Sequence, residues 1–261
     1  CWPDPVVSSK TPDGRYKLAQ LVRANRAIDD TCRAYRLPCN SGKDSMKNDA
    51  TLNGEKISVP PTILFSLVGN HPDIRKAVSS DFKTPGDAIY LLGETHQELG
   101  ASELAFMLSD EGSGGIGGAV PEIDTSRNLA MYRALTTAMG ESLVRSAHDC
   151  SDGGLATALA ECCFGSDSGA DLDVAPLWRD CETMDKWGAL FGESLGRILV
   201  SIRQSDRDAF EQSMAGHACH HIGTVSTGDT ISFSRGEKAL LTASMRVLRE
   251  AWKGALDGGA V

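Results

Sequence analysis

Hydrophobic and polar positions along the chain alternate between two periods, and most segments declare one of them. Over residues 16–35, Leu18, Leu21, Val22, Ile28, Cys32 and Tyr35 recur at helical spacing with Arg and Asp on the other face. That pattern predicts an amphipathic helix packed on a sheet. "LPCNSGKDSMKND" follows as a short apolar entry into a polar, glycine-bearing loop. In "TLNGEKISV", short alternating runs flank Asn53-Gly54, the signal of a tight β-hairpin. "PPTILFSLVGN" reads as a strongly apolar strand, and "HPDIRKAVSSDFKTPGD" as an aperiodic connection punctuated by Pro72 and Pro85. A domain boundary is expected there, near residues 79–83.

Beyond that boundary, "AIYLLGE" predicts a buried strand, "GASELAFML" a short helix and "GSGGIGG" a flexible glycine loop. A long helix is expected over residues 125–143, capped by Asp124 or Thr125. A further helix is expected from Leu155 to Phe164, then strands at "ADLDV" and "GRILVSI", with the turn "LFGES" before the second. "SDRDAFEQSMAG" predicts a helix, "HHIGTVSTGDTISFS" a pair of strands, and "ALLTASMRVLREAWKGAL" a closing amphipathic helix. The order lacks a regular βαβ alternation, so the expected fold class is α+β rather than a doubly wound sheet. The chain shows no solenoid-length repeat.

Composition narrows the function. Hydrophobic residues make up 41% of the 261, enough for a substantial core, and the net charge is -9. A phosphate-tracking surface needs excess Lys and Arg, so general nucleic-acid binding is disfavoured. Neither a bilayer-length apolar run nor a secretory signal is present, which predicts no membrane partner. The eight cysteines lack the spacing of a secreted disulfide framework, and reduced thiols in a cytoplasm are the simpler reading. The opening "CWPDPVVSSKTPDG" reads like a loop entered in mid-domain, so the chain is expected to be a fragment or one part of something larger.

Chemistry-bearing residues concentrate in "AHDCSDGGL", residues 147–155. A strand-like approach ends in polar residues, and glycines lead into a helix whose positive end faces whatever lies above the turn. A carboxylate there could hold Mg²⁺ against nucleotide phosphate. Equally, Ser151 or Asp152 could cap the helix. Contiguous residues on one turn do not usually make the line of a Ser–His–Asp triad. In "SGKDSMKND", Gly42 permits close backbone approach, Lys43 and Lys47 offer positive charge, and Asp44 or Asp49 could hold a metal. The stretch lacks the first glycine and spacing of a Walker A loop, and a solvated loop is its plain alternative. "GSGGIGG" does not directly follow a buried strand as a dinucleotide fingerprint would. His217, Cys219, His220 and His221 are metal-capable but compressed into five residues without a partner pair. Glu193 and Ser194 sit at a polar turn before a buried strand.

Taken in order, "SGKDSMKND", "PPTILFSLVG", "HPDIRKAV", "TPGDAIYLLG", "HDCSDGGLATALAE" and "LFGESLGRILVSI" resemble the formylglycinamide ribonucleotide amidotransferase (phosphoribosylformylglycinamidine synthase) family, in its synthetase component. "GKDSM" together with "HDxSDGGL" is more specific than either alone. The wider superfamily includes aminoimidazole ribonucleotide synthetase, selenophosphate synthetase and thiamine-monophosphate kinase. Family members carry two copies of a two-lobe unit, whose N-terminal lobes pair into a barrel flanked by C-terminal α+β lobes. The resemblance places this chain at the end of the second copy. Residues 1–80 would then be the last part of an N-terminal lobe, and residues 81–261 a complete C-terminal lobe.

The resemblance implies ATP-dependent amidation of a small ribonucleotide in the cytoplasm, with Mg²⁺ offsetting phosphate charge. By motif match, Asp149 would ligate Mg²⁺, Gly42, Lys43 and Ser151 would contact ATP or ADP, and Ser45 would contact substrate or phosphate. Glu193 and Ser194 match a substrate-contacting turn of the first copy. None of the cysteines sits in a nucleophile elbow, so ammonia would come from a glutaminase domain or subunit. The family's catalytic histidine lies in the upstream repeat, and the chain by itself is expected to be inactive. Another ATP-using enzyme of the superfamily and a non-catalytic, ADP-holding half are the alternatives.

Overall fold

The computed structural model describes residues 1–109 and 117–254, which fall into two units, Cys1–Pro72 and Asp73–Val261. Most of the glycine loop "GSGGIGG" lies outside the described residues.

In the first unit, helix α1 (Gly14–Tyr35) follows the helical period and ends where Arg36 turns into the left-handed region. Strands β1 (Asp49–Leu52) and β2 (Glu55–Ser58) form the hairpin that Asn53-Gly54 predicts. Buried Trp2 donates its indole N–H to the Lys17 carbonyl at 3.0 Å, and its backbone amide donates to Ser45 at 2.8 Å. Lys56 lies 3.0 Å from Asp49 and 3.4 Å from Asp4, tying the hairpin to the opening segment. The expected strand at "PPTILFSLVGN" does not form. Its backbone is irregular, and Leu64 and Val68 are 90% and 99% exposed. An extended apolar run becomes a strand only with a continuous hydrogen-bonded neighbour. Here Thr62 alone exchanges backbone hydrogen bonds with Cys1, at 2.8 and 2.9 Å, and the described residues show no ladder beyond it.

The second unit is built on a mixed seven-stranded sheet, counted among the described residues. Its elements in chain order are β3 (Ala88–Leu92), α2 (Glu103–Met107), α3 (Thr125–Gly140), β4 (Val144–Asp149), α4 (Gly154–Phe164), β5 (Gly169–Asp173), α5 (Lys186–Phe191), β6 (Ile198–Ile202), α6 (Arg207–Ser213), β7 (Cys219–Ser226), β8 (Thr230–Arg235), β9 (Lys238–Ser244) and α7 (Met245–Gly254). The strand order is β4-β6-β3-β7-β5-β8-β9, antiparallel except for the parallel β5–β8 pair. The expected α+β class is the one observed.

Central β3 is buried on both faces, and its alternating side chains serve two cores. Ile89 and Leu91 join α4, α5 and α7 on one face, with Leu155, Leu159, Leu190 and Met245. Ala88, Tyr90 and Leu92 join α3 and α6 on the other, with Met131, Leu135 and Phe210. Asp124 caps α3 by accepting from the Arg127 amide at 2.9 Å.

Two expectations are corrected here. β7 and β8 are not each other's neighbours, because β5 lies between them. The first half of the expected closing helix is strand β9, which pairs with β8 before α7 begins. A short apolar run does not distinguish strand from helix by itself, and the partner strand decides it.

On the second face, the Tyr90 hydroxyl donates to Glu211, and Arg207 donates to Tyr90 at 2.9 Å. The Tyr90 bond holds the Glu211 carboxyl below its ordinary value of 4.5, with Arg207 adding to the effect. A depressed folded value means the stabilisation is complete above about pH 4.5 and fades as pH falls through the folded value. Glu211→Gln should therefore lower the thermal midpoint at pH 7, and the gap from wild type should close below pH 4. Melting curves from pH 3 to 7 check this; an equal gap at both ends overturns it.

Candidate functional site

Edge strand β4 pairs with β6 and delivers His148 and Asp149 to its end, opposite Leu199 and Ile198. The Asp149 side chain is 69% exposed. Its Oδ2 accepts from the Ser151 hydroxyl, and Oδ1 lies 3.5 Å from His148 Nδ1. The Ser151 bond is the main cause holding the Asp149 carboxyl below its ordinary value, against the opposing effect of burial. His148 Nε2 lies 2.8 Å from Glu161 Oε2 on α4. The hydroxyl thus bonds the carboxylate and not the imidazole, unlike a nucleophile–base line. Cys150 is buried, and burial pushes its thiol up to about 11, which removes it from nucleophilic chemistry.

The helix cap differs from the expectation. Neither Ser151 nor Asp152 caps α4; the N-cap residue is Gly153, with φ +77° and no side-chain bond of its own. Glu193 supplies the carboxylate instead. Its Oε1 accepts from the Gly153 amide at 2.9 Å and from the Glu103 amide at 2.9 Å, so one oxygen joins the starts of α4 and α2. Gly154 has φ +65°, and a Cβ there would meet the Gly192 carbonyl oxygen at 2.5 Å. The close approach that Gly154 permits is therefore to the 191–192 backbone, while Gly153 makes room for the Thr157 side chain. Ser194 is buried, and its Oγ accepts from the His96 amide at 3.0 Å.

Beneath these turns lies Arg197, 1% exposed. Its guanidinium donates to the carbonyls of Ser194 (3.1 Å) and Gly192 and to the Thr95 hydroxyl at 3.3 Å. Burial lowers its pKa, opposed by the negative charges of Glu98, Asp180 and Glu193. Asp180 accepts from the Thr95 amide at 3.0 Å and lies 3.0 Å from His220 Nε2. The histidine cluster is dispersed by strand alternation: His220 faces Asp180, while His221 packs against Tyr90 on the other face. Among the described residues, no group of three or more His, Cys, Asp or Glu is placed to hold a metal.

A cleft of about 420 Å³ opens beside Ser194, walled by Glu94, Glu98, Glu122, Arg127 and His217. Buried Glu98 accepts from the Glu122 amide at 3.0 Å through one oxygen, and the other has no hydrogen-bond partner among the described residues. Arg127 pairs with Glu94.

The remaining predicted residues belong to the first unit. Gly42 and Lys43 are exposed, and Gly42 has open space where a Cβ would stand. The Ser45 hydroxyl donates to Asn48 Oδ1 at 3.1 Å. Asp49 Oδ2 is engaged by Lys56 and by the Asp4 amide, while its Oδ1 is buried without a hydrogen-bond partner among the described residues. The structure thus brings Asp149, Ser151, Glu193 and Ser194 into one region of the second unit. Sequence reasoning missed Glu161, Glu98 and Arg197; the signal for Arg197 was a lone cation immediately before the apolar run Ile198-Leu199-Val200.

Residues 84–235, more than half of the chain, match the family described as AIR synthase related protein, C-terminal domain. The chain belongs to the AIR synthase related family. The match contains Glu98, Asp149, Ser151, Glu193, Ser194 and Arg197 of this AIR synthase related chain, and leaves Gly42, Lys43 and Ser45 outside it. Among similar solved structures is Thermotoga maritima PurL complexed with FGAR, at 15% identity over 84% of this chain and 36% of that one, TM-score 0.63. PurL of the same organism complexed with ADP matches at 15% identity, 84% and 33% coverage, TM-score 0.58. Phosphoribosylformylglycinamidine synthase II from Thermotoga maritima matches at 17%, with 66% and 27% coverage, TM-score 0.55. The likeness is one of fold, and the chain spans only 27–36% of the length of these relatives.

Glu193 holds two helix starts at once, so its removal should cost stability independently of any ligand. Glu193→Ala should lower unfolding free energy in urea by about 1–3 kcal/mol, the cost of orphaned donors. Glu193→Gln, which keeps a carbonyl acceptor, should lose less than half of that. An alanine variant as stable as wild type overturns the bridging role.

Proposed function

We propose that this chain is part of an ATP-dependent carbon–nitrogen ligase. It would convert formylglycinamide ribonucleotide to formylglycinamidine ribonucleotide with ammonia from glutamine, in cytoplasmic purine synthesis. The observation that carries the reading is family membership over residues 84–235 joined to an exposed Asp149 at a strand end beside a glycine-opened helix. Relatives of the same fold have been solved with ATP, ADP and FGAR bound. In this reading residues 1–80 complete an N-terminal lobe shared with an upstream repeat, and residues 81–261 form the C-terminal lobe.

The donor set fits Mg²⁺ of one particular kind. One exposed carboxylate without a protein cage suits an ion whose shell is completed by phosphate oxygens and water. Asp149 would hold that ion, which offsets phosphate charge during transfer. Ser151 orients the Asp149 carboxylate through its hydroxyl and contacts nucleotide. Gly42 and Lys43 meet phosphate, with Lys43 as a point charge. Ser45 contacts substrate or phosphate. Ammonia arrives from a glutaminase domain or partner subunit.

A second reading has a specific observation in its favour. Glu193 is bonded to two backbone amides and Ser194 is buried against His96, so the turn expected to meet substrate is engaged internally. That favours a half that holds ADP without consuming nucleotide.

Titration calorimetry with ADP should give binding that strengthens with Mg²⁺. Asp149→Asn should weaken the Mg²⁺-dependent part about tenfold, equivalent to ~1.4 kcal/mol. Absence of binding, or identical binding by the variant, overturns the metal-ligand role. With the upstream repeat restored, ATP, ammonium and formylglycinamide ribonucleotide should yield phosphate and the amidine. If that protein turns over equally well with Asp149→Asn, the nucleotide held here is not the one consumed.

A further inference from the structure

The end of α1 carries a feature that nucleotide chemistry does not use. Cys32 lies in its last turns, and Arg36 reverses the chain in the left-handed conformation (φ 55°, ψ 41°). The Leu37 amide then donates back to the Cys32 carbonyl at 2.9 Å. The reversal carries Cys39 back over the helix end, where its Sγ lies 3.6 Å from Cys32 Sγ. Cys39 is exposed and Cys32 half-buried, whereas Cys150, Cys162 and Cys163 are buried in the second unit.

We propose that Cys32 and Cys39 form a dithiol–disulfide site, oxidised by low-molecular-weight disulfides of the glutathione class. Exposed Cys39 is the entry point. Its thiolate attacks one sulfur of oxidised glutathione, the reagent's S–S bond breaks, and one glutathione thiolate leaves, taking up the proton that Cys39 lost. Cys32 is the resolving thiol. Deprotonated, it attacks Cys39 Sγ of the mixed disulfide and expels the second glutathione, which is protonated in turn. The two protein thiols lose two electrons and two protons, and one reagent disulfide becomes two glutathione thiols.

The geometry favours the resolving step. A disulfide needs the sulfurs at 2.03–2.05 Å, so they must approach by roughly 1.5 Å. Residues 37–39 lie beyond the helix and outside regular structure, and can supply that movement. In the reduced pair the hydrogen bond with Cys39, then burial, raises the Cys32 thiol above its ordinary value, which leaves the first attack to exposed Cys39. The bridge would pin residue 39 to α1 at the start of the exposed segment bearing Gly42 and Lys43. The site stands whether or not that segment meets phosphate.

The test treats the whole chain with excess oxidised glutathione, alkylates remaining thiols with iodoacetamide, and maps tryptic peptides without reduction. Residues 27–33 ("AIDDTCR") and 37–43 ("LPCNSGK") should be found joined and unalkylated, and a reductant should separate them. In Cys32→Ser the joined pair should disappear and Cys39 should retain glutathione. The proposal is overturned if both wild-type peptides are alkylated, if wild-type Cys39 keeps glutathione unresolved, or if either cysteine bridges to another partner.

Discussion

The buried guanidinium of Arg197 is the constraint around which the second unit's loops are arranged. A charge removed from water costs several kcal/mol unless its donors are satisfied and opposite charge lies near. The carbonyls of Gly192 and Ser194 and the hydroxyl of Thr95 satisfy those donors, and Glu98, Asp180 and Glu193 supply the charge. Each partner lies on a connection between elements, not within a strand. Meeting one cation therefore sets the path of residues 93–98 and 192–197 together. The cleft beside Ser194 and the carboxylate reaching the start of α4 are consequences of that path.

The sheet provides the frame that makes this burial affordable. Central β3 feeds two cores, and β7 beside it sends successive histidines to opposite faces. His220 meets Asp180, which also holds Thr95, so the strand's alternation reaches into the Arg197 network. On the far face His221 packs with Tyr90, and burial lowers its pKa. A run of residues that looks like a metal cluster in one dimension is two separate packing events in three.

Local signals were the legible ones. The helical period of α1, the Asn53-Gly54 hairpin and the Asp124 cap are each decided within a few residues, and each appears where expected. What was not legible depended on partners distant in sequence. Whether "ALLTAS" is strand or helix is decided by β8, and whether β7 and β8 are neighbours is decided by β5. In "PPTILFSLVG" the pairing stops at the two backbone bonds between Thr62 and Cys1, a contact between residues 61 positions apart. The site divides in the same way. Asp149 and Ser151 are adjacent on one turn and were found together, whereas the carboxylate serving that turn's helix comes from residue 193.

That division bears on how the turn works. If Ser151 or Asp152 capped α4, the turn proposed to meet ligand would also carry the helix, and one role would compromise the other. Because Glu193 takes the Gly153 amide, the Asp149 side chain keeps an exposed position, with Ser151 and His148 as its polar side-chain partners among the described residues. Glu193 and Ser194 are consumed by structure for the same reason. The chemistry-bearing turns are thus unequal: one is held in place by the other, and the supporting turn in turn rests on Arg197. A ligand at Asp149 would meet a carboxylate whose surroundings are already organised, so binding there need not pay to order the loop.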